Sequence, residues 1–322
     1  MRSLPGKEAV PVNEEGRGWE RWWIYQRERF PLLGHGPLIL AFSTSALTFY
    51  ALLHEDRFFG TGAHWVLSWV TAFVSCLLFF LQLRIADEFK DAEEDREFRP
   101  YRAVPRGLVR LRELGWLFVI GVGIQLALAL WLDLRLLLIL FPAWAYLALM
   151  SHEFFARDWL VARPLTYLWT HMLIMPIVDL YATSCHWLVR GYPFDLGLKW
   201  FLVVSFCNGV LIEVGRKLRN PGEEEEGVRT YSKLWGNRRA PLIWMGLLGV
   251  TMGFSLLTAA EIDFFVPMLG ACVVLLAMSA WLVRRFFRGF PDGSGKPFEA
   301  FTGVWTLVLY LFLGPIPYFL RS

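Results

Sequence analysis

The chain has 322 residues, 56% of them hydrophobic, and a formal net charge of +3, with a mean hydropathy of +0.42. Soluble domains run near about 45–50% apolar, and the excess here falls in long blocks, which excludes an ordinary soluble core and points to a membrane protein. A charge so close to balance leaves no broad basic footprint, and no nucleic-acid partner is expected.

In chain order, the opening stretch MRSLPGKEAVPVNEEGRG is polar and does not read as a secretory signal peptide. WERWWIYQRERF follows; as a helix it places Trp19, Trp22 and Trp23 on one face, with Arg21, Arg27 and Arg29 off that face. This pattern reads as an interfacial helix on the inner leaflet. Residues 1–30 are therefore expected to form a cytoplasmic N-terminal segment, and residues 31–322 one transmembrane domain. A spanning helix needs about 20 mostly apolar residues. Nine segments qualify: about 34–53, 63–85, 114–132, 134–151, 160–185, 196–217, 240–259, 264–284 and 299–320. Gly and Pro interrupt several of them, as in GVGIQ and MPIVD, which close helix packing tolerates. Of the 32 Lys and Arg residues, all but Arg57, Arg135, Arg190, Lys199 and Arg321 fall on one side of this arrangement. The bias predicts a cytoplasmic N-terminus and an outside C-terminus, in a bacterial inner (plasma) membrane. Cys76, Cys185, Cys207 and Cys272 lie in or beside apolar segments without metal-ligand spacing, so they read as small buried residues. No separate soluble domain and no repeat is visible.

Two loops are long and charged. The first, LRIADEFKDAEEDREFRPYRAVPRGLVRLREL, carries Asp87, Asp91 and Asp95 at i, i+4, i+8, which stacks them along one face of a helix. Like charges in that register oppose helix formation unless a cation sits against them. A hard divalent ion such as magnesium takes one or two carboxylates plus phosphate oxygens; the alternative is a solvated acidic helix end balanced by Lys90 and Arg96. The second loop, NGVLIEVGRKLRNPGEEEEGVRTYSKLWGNRR, puts Glu213 and Lys217 on one face beside Arg216, with Asn208 more than one turn deeper. Pro221 and Gly222 end that helix. The run Glu223 to Glu226 reads as solvent-facing.

These residues resemble the UbiA superfamily of intramembrane prenyltransferases. Its first motif, NDxxDxxxD followed by RPxxxG, is matched by DEFKDAEED, with Asp87 and Glu88 at the Asn-Asp pair, and by RAVPRG, with Arg102 and Gly107 at the Arg and Gly positions. Its second motif, DxxxD followed by GxxT and a Gly, becomes EVGRK, GVRT and WG, with Lys217 at the second acid. The resemblance implies an all-α bundle of about nine transmembrane helices. It implies magnesium held by Asp87, Asp91, Asp95 and Glu213, the catalytic acids, around a prenyl diphosphate. It makes Arg102, Arg216, Lys217, Tyr146 and His152 substrate-binding candidates. The reaction implied is transfer of the prenyl group to an unidentified aromatic or lipid acceptor among membrane lipids. The departure at Lys217 implies that a lysine pairs with diphosphate in place of a second metal, or that the chemistry has changed.

Glu153, beside His152, is a further candidate on the same side. Asp179 and His171 lie within the fifth span; an intramembrane acid is a functional candidate by default, against an interfacial or structural role for Asp179 and an interhelical hydrogen bond for His171. The other functional readings are a terpene cyclase or another diphosphate-linked transferase of the same fold, and a non-catalytic lipid-binding protein or transporter. A transporter would place its polar residues near the midplane with repeat symmetry.

Overall fold

The computed structural model describes residues 18–60, 64–288 and 295–321. Arg2, Lys7 and Arg17, counted above in the charge bias, lie outside the described residues. A backbone in lipid must satisfy its own N–H and C=O groups, so long apolar stretches fold as helices. In order these are α1 (Glu20–Arg29), α2 (Leu32–Leu53), α3 (His64–Lys90), α4 (Ala92–Phe98), α5 (Leu111–Leu132), α6 (Leu137–Ser151), α7 (Arg157–Val161), α8 (Pro164–Met172), α9 (Ile174–Trp187), α10 (Leu198–Arg216), α11 (Tyr231–Trp235), α12 (Arg239–Glu261), α13 (Phe265–Phe287), α14 (Lys296–Leu313) and α15 (Pro315–Arg321).

Among the described residues, eight helical stretches have the length and apolarity of a span: α2, α3, α5, Leu134–Ser151, α10, α12, α13 and Lys296–Arg321. The fifth expected span, 160–185, exists as two shorter helices, α8 and α9, meeting at Leu173. Pro176 accounts for the break. It has no N–H to offer the Met172 carbonyl, and its ring crowds that same carbonyl.

α2 and α10 are the most buried spans. α2 packs on α3, α9 and α14; α10 packs on α9, α12 and α14. Missing side chains permit the close approaches between them. A Cβ on Gly209 would lie 2.6 Å from Met175 of α9, and one on Gly314 would lie 2.5 Å from the Ser45 backbone of α2.

The two ends of the bundle differ. At one end, Asp56 accepts from His186 at 3.0 Å and from Arg190 at 3.2 Å, while His54 meets Asp195 at 3.0 Å. The other end is far more charged. α3 has 27 residues, about 40 Å of helix, against a hydrocarbon layer of about 30 Å; its last turns therefore stand clear of the core with Arg84, Asp87, Glu88 and Lys90. α1 packs there. Tyr25 is buried with Ile85, Leu108 and Leu114, while Trp19 and Trp23 stay exposed. Ion pairs fix α1 in place: Arg21 to Glu113 at 2.7 Å, Arg106 to Glu28 at 3.0 Å and Arg29 to Glu88 at 2.5 Å.

Candidate active site at the charged end of the bundle

The register of Asp87, Asp91 and Asp95 would line all three up if α3 ran on. α3 instead stops at Lys90, and Asp91 caps α4 with φ −92° and ψ 4°. This bend divides the acids. Asp95 is buried, ion-paired with Arg99 at 2.8 Å and hydrogen-bonded by Arg102 through both oxygens at 2.9 and 2.8 Å, with Arg29 at 4.0 Å. Glu88 is equally buried, between Arg29 and, at 2.8 Å, Arg84. Guanidiniums thus take both oxygens of Asp95 and the Oε1 of Glu88, whose Oε2 is buried without a partner. Asp95, expected as a metal ligand, is surrounded by Arg29, Arg99 and Arg102, and Arg102 is turned onto Asp95.

Asp87 and Asp91 are placed differently. The Asp87 carboxylate is partly exposed, with Lys90 at 3.3 Å and Arg84 at 3.7 Å. Among the described residues Asp91 makes no ion pair at all. Lys90 Nζ also donates to the Tyr167 hydroxyl at 2.9 Å, and that hydroxyl donates to Glu153 at 3.1 Å. Glu153, Phe154 and Phe155 take φ values of 50°, 53° and 56°, a left-handed turn that L-residues adopt only at a cost of about 1–2 kcal/mol each. The turn points Glu153 inward, where it is buried, and sends His152 outward to stack on Phe155. His152 is therefore exposed, and Tyr146 spends its hydroxyl on the Thr170 carbonyl at 2.6 Å. Neither meets the acids as expected.

The second motif closes on itself. Glu213 accepts from Arg216 at 2.6 Å and from Lys217 at 2.7 Å. α11 folds back over this helix end, with Tyr231 N–H donating to the Lys217 carbonyl at 3.2 Å. The two motifs lie within electrostatic reach of each other: Asp87 of Arg216, Glu213 and Asp87 of His171, and Glu213 and Tyr167 of Tyr231. Burial pushes the Tyr231 phenol well above its usual range, with the Glu213 carboxylate adding to this. The glutamate run ties loops together. Glu225 accepts from Tyr101 at 2.9 Å, Glu224 from Thr230 at 2.7 Å, and Glu223 from the Gly295 N–H at 2.6 Å.

Tyr167, Tyr231 and Arg29 carried no motif signal in the sequence. Tyr167 and His171 are one turn apart and stack at 3.9 Å, a spacing visible in advance, but nothing marked which face met α3.

Desolvation pushes the Asp91 carboxyl up to about 6; the Asp87 and Asp95 carboxylates add to this, against Lys90 and Arg99. An unfolded aspartate titrates near about 3.9, so the folded chain binds the proton more tightly. The sign follows from that difference: ionised Asp91 costs stability above pH 6, and stability is recovered as the pH falls from neutral through 6. Cation binding runs the other way, weakening up to about tenfold per unit below that pH. Magnesium-plus-pyrophosphate titrations on either side of pH 6 check both slopes; a flat affinity profile would refute the assignment.

Among the described residues no three His, Cys, Asp or Glu side chains gather as a ready metal cage. One magnesium needs only one or two carboxylates beside phosphate oxygens and water. Asp87 and the desolvated, unpaired Asp91 fit that demand. Glu213, capped by two cations, does not fit a second ion.

No protein-family model matches the sequence, and no curated protein matches it. Solved structures do match. The apo structure of a UbiA homolog from Aeropyrum pernix K1 is 12% identical, with 89% of this chain and 98% of that chain covered and a TM-score of 0.64. A digeranylgeranylglyceryl phosphate synthase is 15% identical, with 91% and 98% covered and a TM-score of 0.56. A UbiA homolog from Archaeoglobus fulgidus, bound to DMAPP and magnesium, is 11% identical, with 89% and 99% covered and a TM-score of 0.50. At such identities the likeness is one of architecture, and it agrees with the helix count and with the apolar faces: this chain is an integral membrane protein with the UbiA fold.

Proposed function

We propose that the chain transfers a prenyl group from a prenyl diphosphate to an aromatic or lipid acceptor, with magnesium, at the charged end of the bundle. The Lys and Arg bias puts that end in the cytoplasm. The observation that carries the reading is Asp87, paired with Lys90 at 3.3 Å, within electrostatic reach of Arg216, which with Lys217 holds Glu213 of the second motif. The UbiA homolog bound to DMAPP and magnesium lends it support.

Asp87 and Asp91 would hold one magnesium, which supplies positive charge to the diphosphate oxygens. Arg216 and Lys217, aligned by Glu213 between them, face the charge that grows on the leaving diphosphate. Lys90 is oriented by Tyr167 and Asp87 for the same task. Phe154 offers an aromatic wall to an allylic cation and keeps water from it. Lysine and arginine thus stand where a second metal would otherwise be needed.

The direct test incubates purified protein with a panel of radiolabelled prenyl diphosphates and a lipid extract, then identifies products by mass. Turnover that stops on chelation is expected; product formation indifferent to chelation, or no product from any donor, would overturn the proposal. Lys217→Asp should weaken pyrophosphate affinity about 10–100-fold, the loss of about 1.4–2.8 kcal/mol of charge pairing, and raise the magnesium requirement. Unchanged affinity and unchanged magnesium dependence would remove Lys217 from the site.

A further inference from the structure

α13 returns the chain to the charged end of the bundle, where the Gly295 N–H that follows it donates to Glu223 at 2.6 Å. One side of α13 is buried, with Met268, Cys272, Leu275, Ser279 and Leu282, and packs on α12 and α14. The opposite side is exposed: Val274, Met278 and Trp281 stand at i, i+4 and i+7, one face of the helix. In a spanning helix an exposed apolar stripe of this kind is the side that meets lipid. Arg285 and Arg288 continue the same stripe at the same spacing, Arg284 flanks it, and all three are exposed. The guanidiniums therefore crown a lipid-facing stripe, on the side away from the packed core.

α13 has 23 residues, about 35 Å of helix, against a hydrocarbon layer of about 30 Å. Its last turn thus stands among lipid headgroups, and Trp281 lies at the boundary, where indoles collect. The Arg285 guanidinium sits 5.3 Å from the centre of the Trp281 ring. Trp281, Arg284, Arg285 and Arg288 line a cleft of about 110 Å³. Among the described residues the side chains of Arg284 and Arg288 make no ion pair. They are one turn apart, a like-charge register that opposes the helix. The carbonyls of a helix end attract a cation, which accounts for one basic residue there but not for a cleft walled by three. An anion held between the arginines removes their repulsion, and the planar guanidinium fork matches the two free oxygens of a phosphodiester.

We propose that this cleft binds the phosphodiester of an anionic glycerophospholipid from the leaflet at the charged end, with the acyl chains lying along Trp281, Met278 and Val274. The apolar stripe directly beneath the cleft is what selects a lipid over a soluble phosphate, which has nothing to lay against it. A zwitterionic lipid brings its own cation towards the arginines, so a lipid of net negative charge is preferred. The site lies on the outer face of α13 and stands independently of the transfer reading; its occupant would fix the depth of α13 in the bilayer.

The test titrates the purified full chain in detergent with dioleoylphosphatidylglycerol or dioleoylphosphatidylcholine and counts bound lipid by native mass spectrometry. Phosphatidylglycerol should bind saturably and at least about tenfold more tightly than phosphatidylcholine. The double variant Arg284→Gln, Arg288→Gln should lose about tenfold or more of that affinity while melting at the wild-type temperature. A second double variant, Arg238→Gln, Arg239→Gln, removes two exposed arginines at the same end but outside the cleft, and should bind phosphatidylglycerol as the wild type does. Inorganic phosphate in molar excess should leave the lipid in place. Equal binding of the two lipids, equal losses in the two double variants, no loss in the first, or displacement by inorganic phosphate would overturn the proposal.

Discussion

Asp91→Asn is expected to reduce magnesium-dependent turnover by about 100–1,000-fold, the usual cost of deleting one electrostatic contact to a transition state, while the protein melts at or above the wild-type temperature. Both halves come from the same observation. The Asp91 carboxylate is desolvated, makes no ion pair among the described residues, and titrates near 6. Such a charge does nothing for the folded chain except destabilise it, so an uncharged isostere removes a penalty. Groups kept at a cost to stability are characteristic of sites of action. Turnover and melting temperature are read on one preparation. Wild-type turnover in Asp91→Asn would end its assignment as a magnesium ligand.

Asp95→Asn should fail in the opposite manner, losing the fold before the chemistry. Its carboxylate is buried and holds Arg99 and Arg102 at 2.8 Å, with Arg29 at 4.0 Å. Removing one partner of a buried charge cluster leaves the rest uncompensated, at about 3–5 kcal/mol. A marked drop in melting temperature and early proteolysis of the 84–112 loop are the expected results. The folded fraction should still bind magnesium-pyrophosphate. An Asp95→Asn protein that melts normally and has lost its magnesium response would reverse the assignment and return Asp95 to the metal.

The architecture was open to the sequence, because a span is a property of composition over about 20 residues. Even the irregular span was marked by Pro176, although the pattern alone read 160–185 as one helix. The division of the acids was not open. Asp87, Glu88, Asp91 and Asp95 share a motif, and what separates them is which arginines reach them; Arg29 comes from a different helix. Spacing predicted one face for Asp87, Asp91 and Asp95, and the helix break at Asp91 removed it. The glutamate run was legible as a loop but not as a set of ties to Tyr101, Thr230 and Gly295. His152 and Glu153 are adjacent, and only the left-handed turn decides which of them faces inward.

The clamp of Arg29 on Glu88 also sets a schedule for biosynthesis. The two residues are 59 positions apart, with two whole spans between them. At about 5–20 residues per second, Arg29 is added to the chain about 3–12 s before Glu88. α1 therefore docks late, after the first helical hairpin has been inserted, and Arg29 waits without its partner throughout that interval.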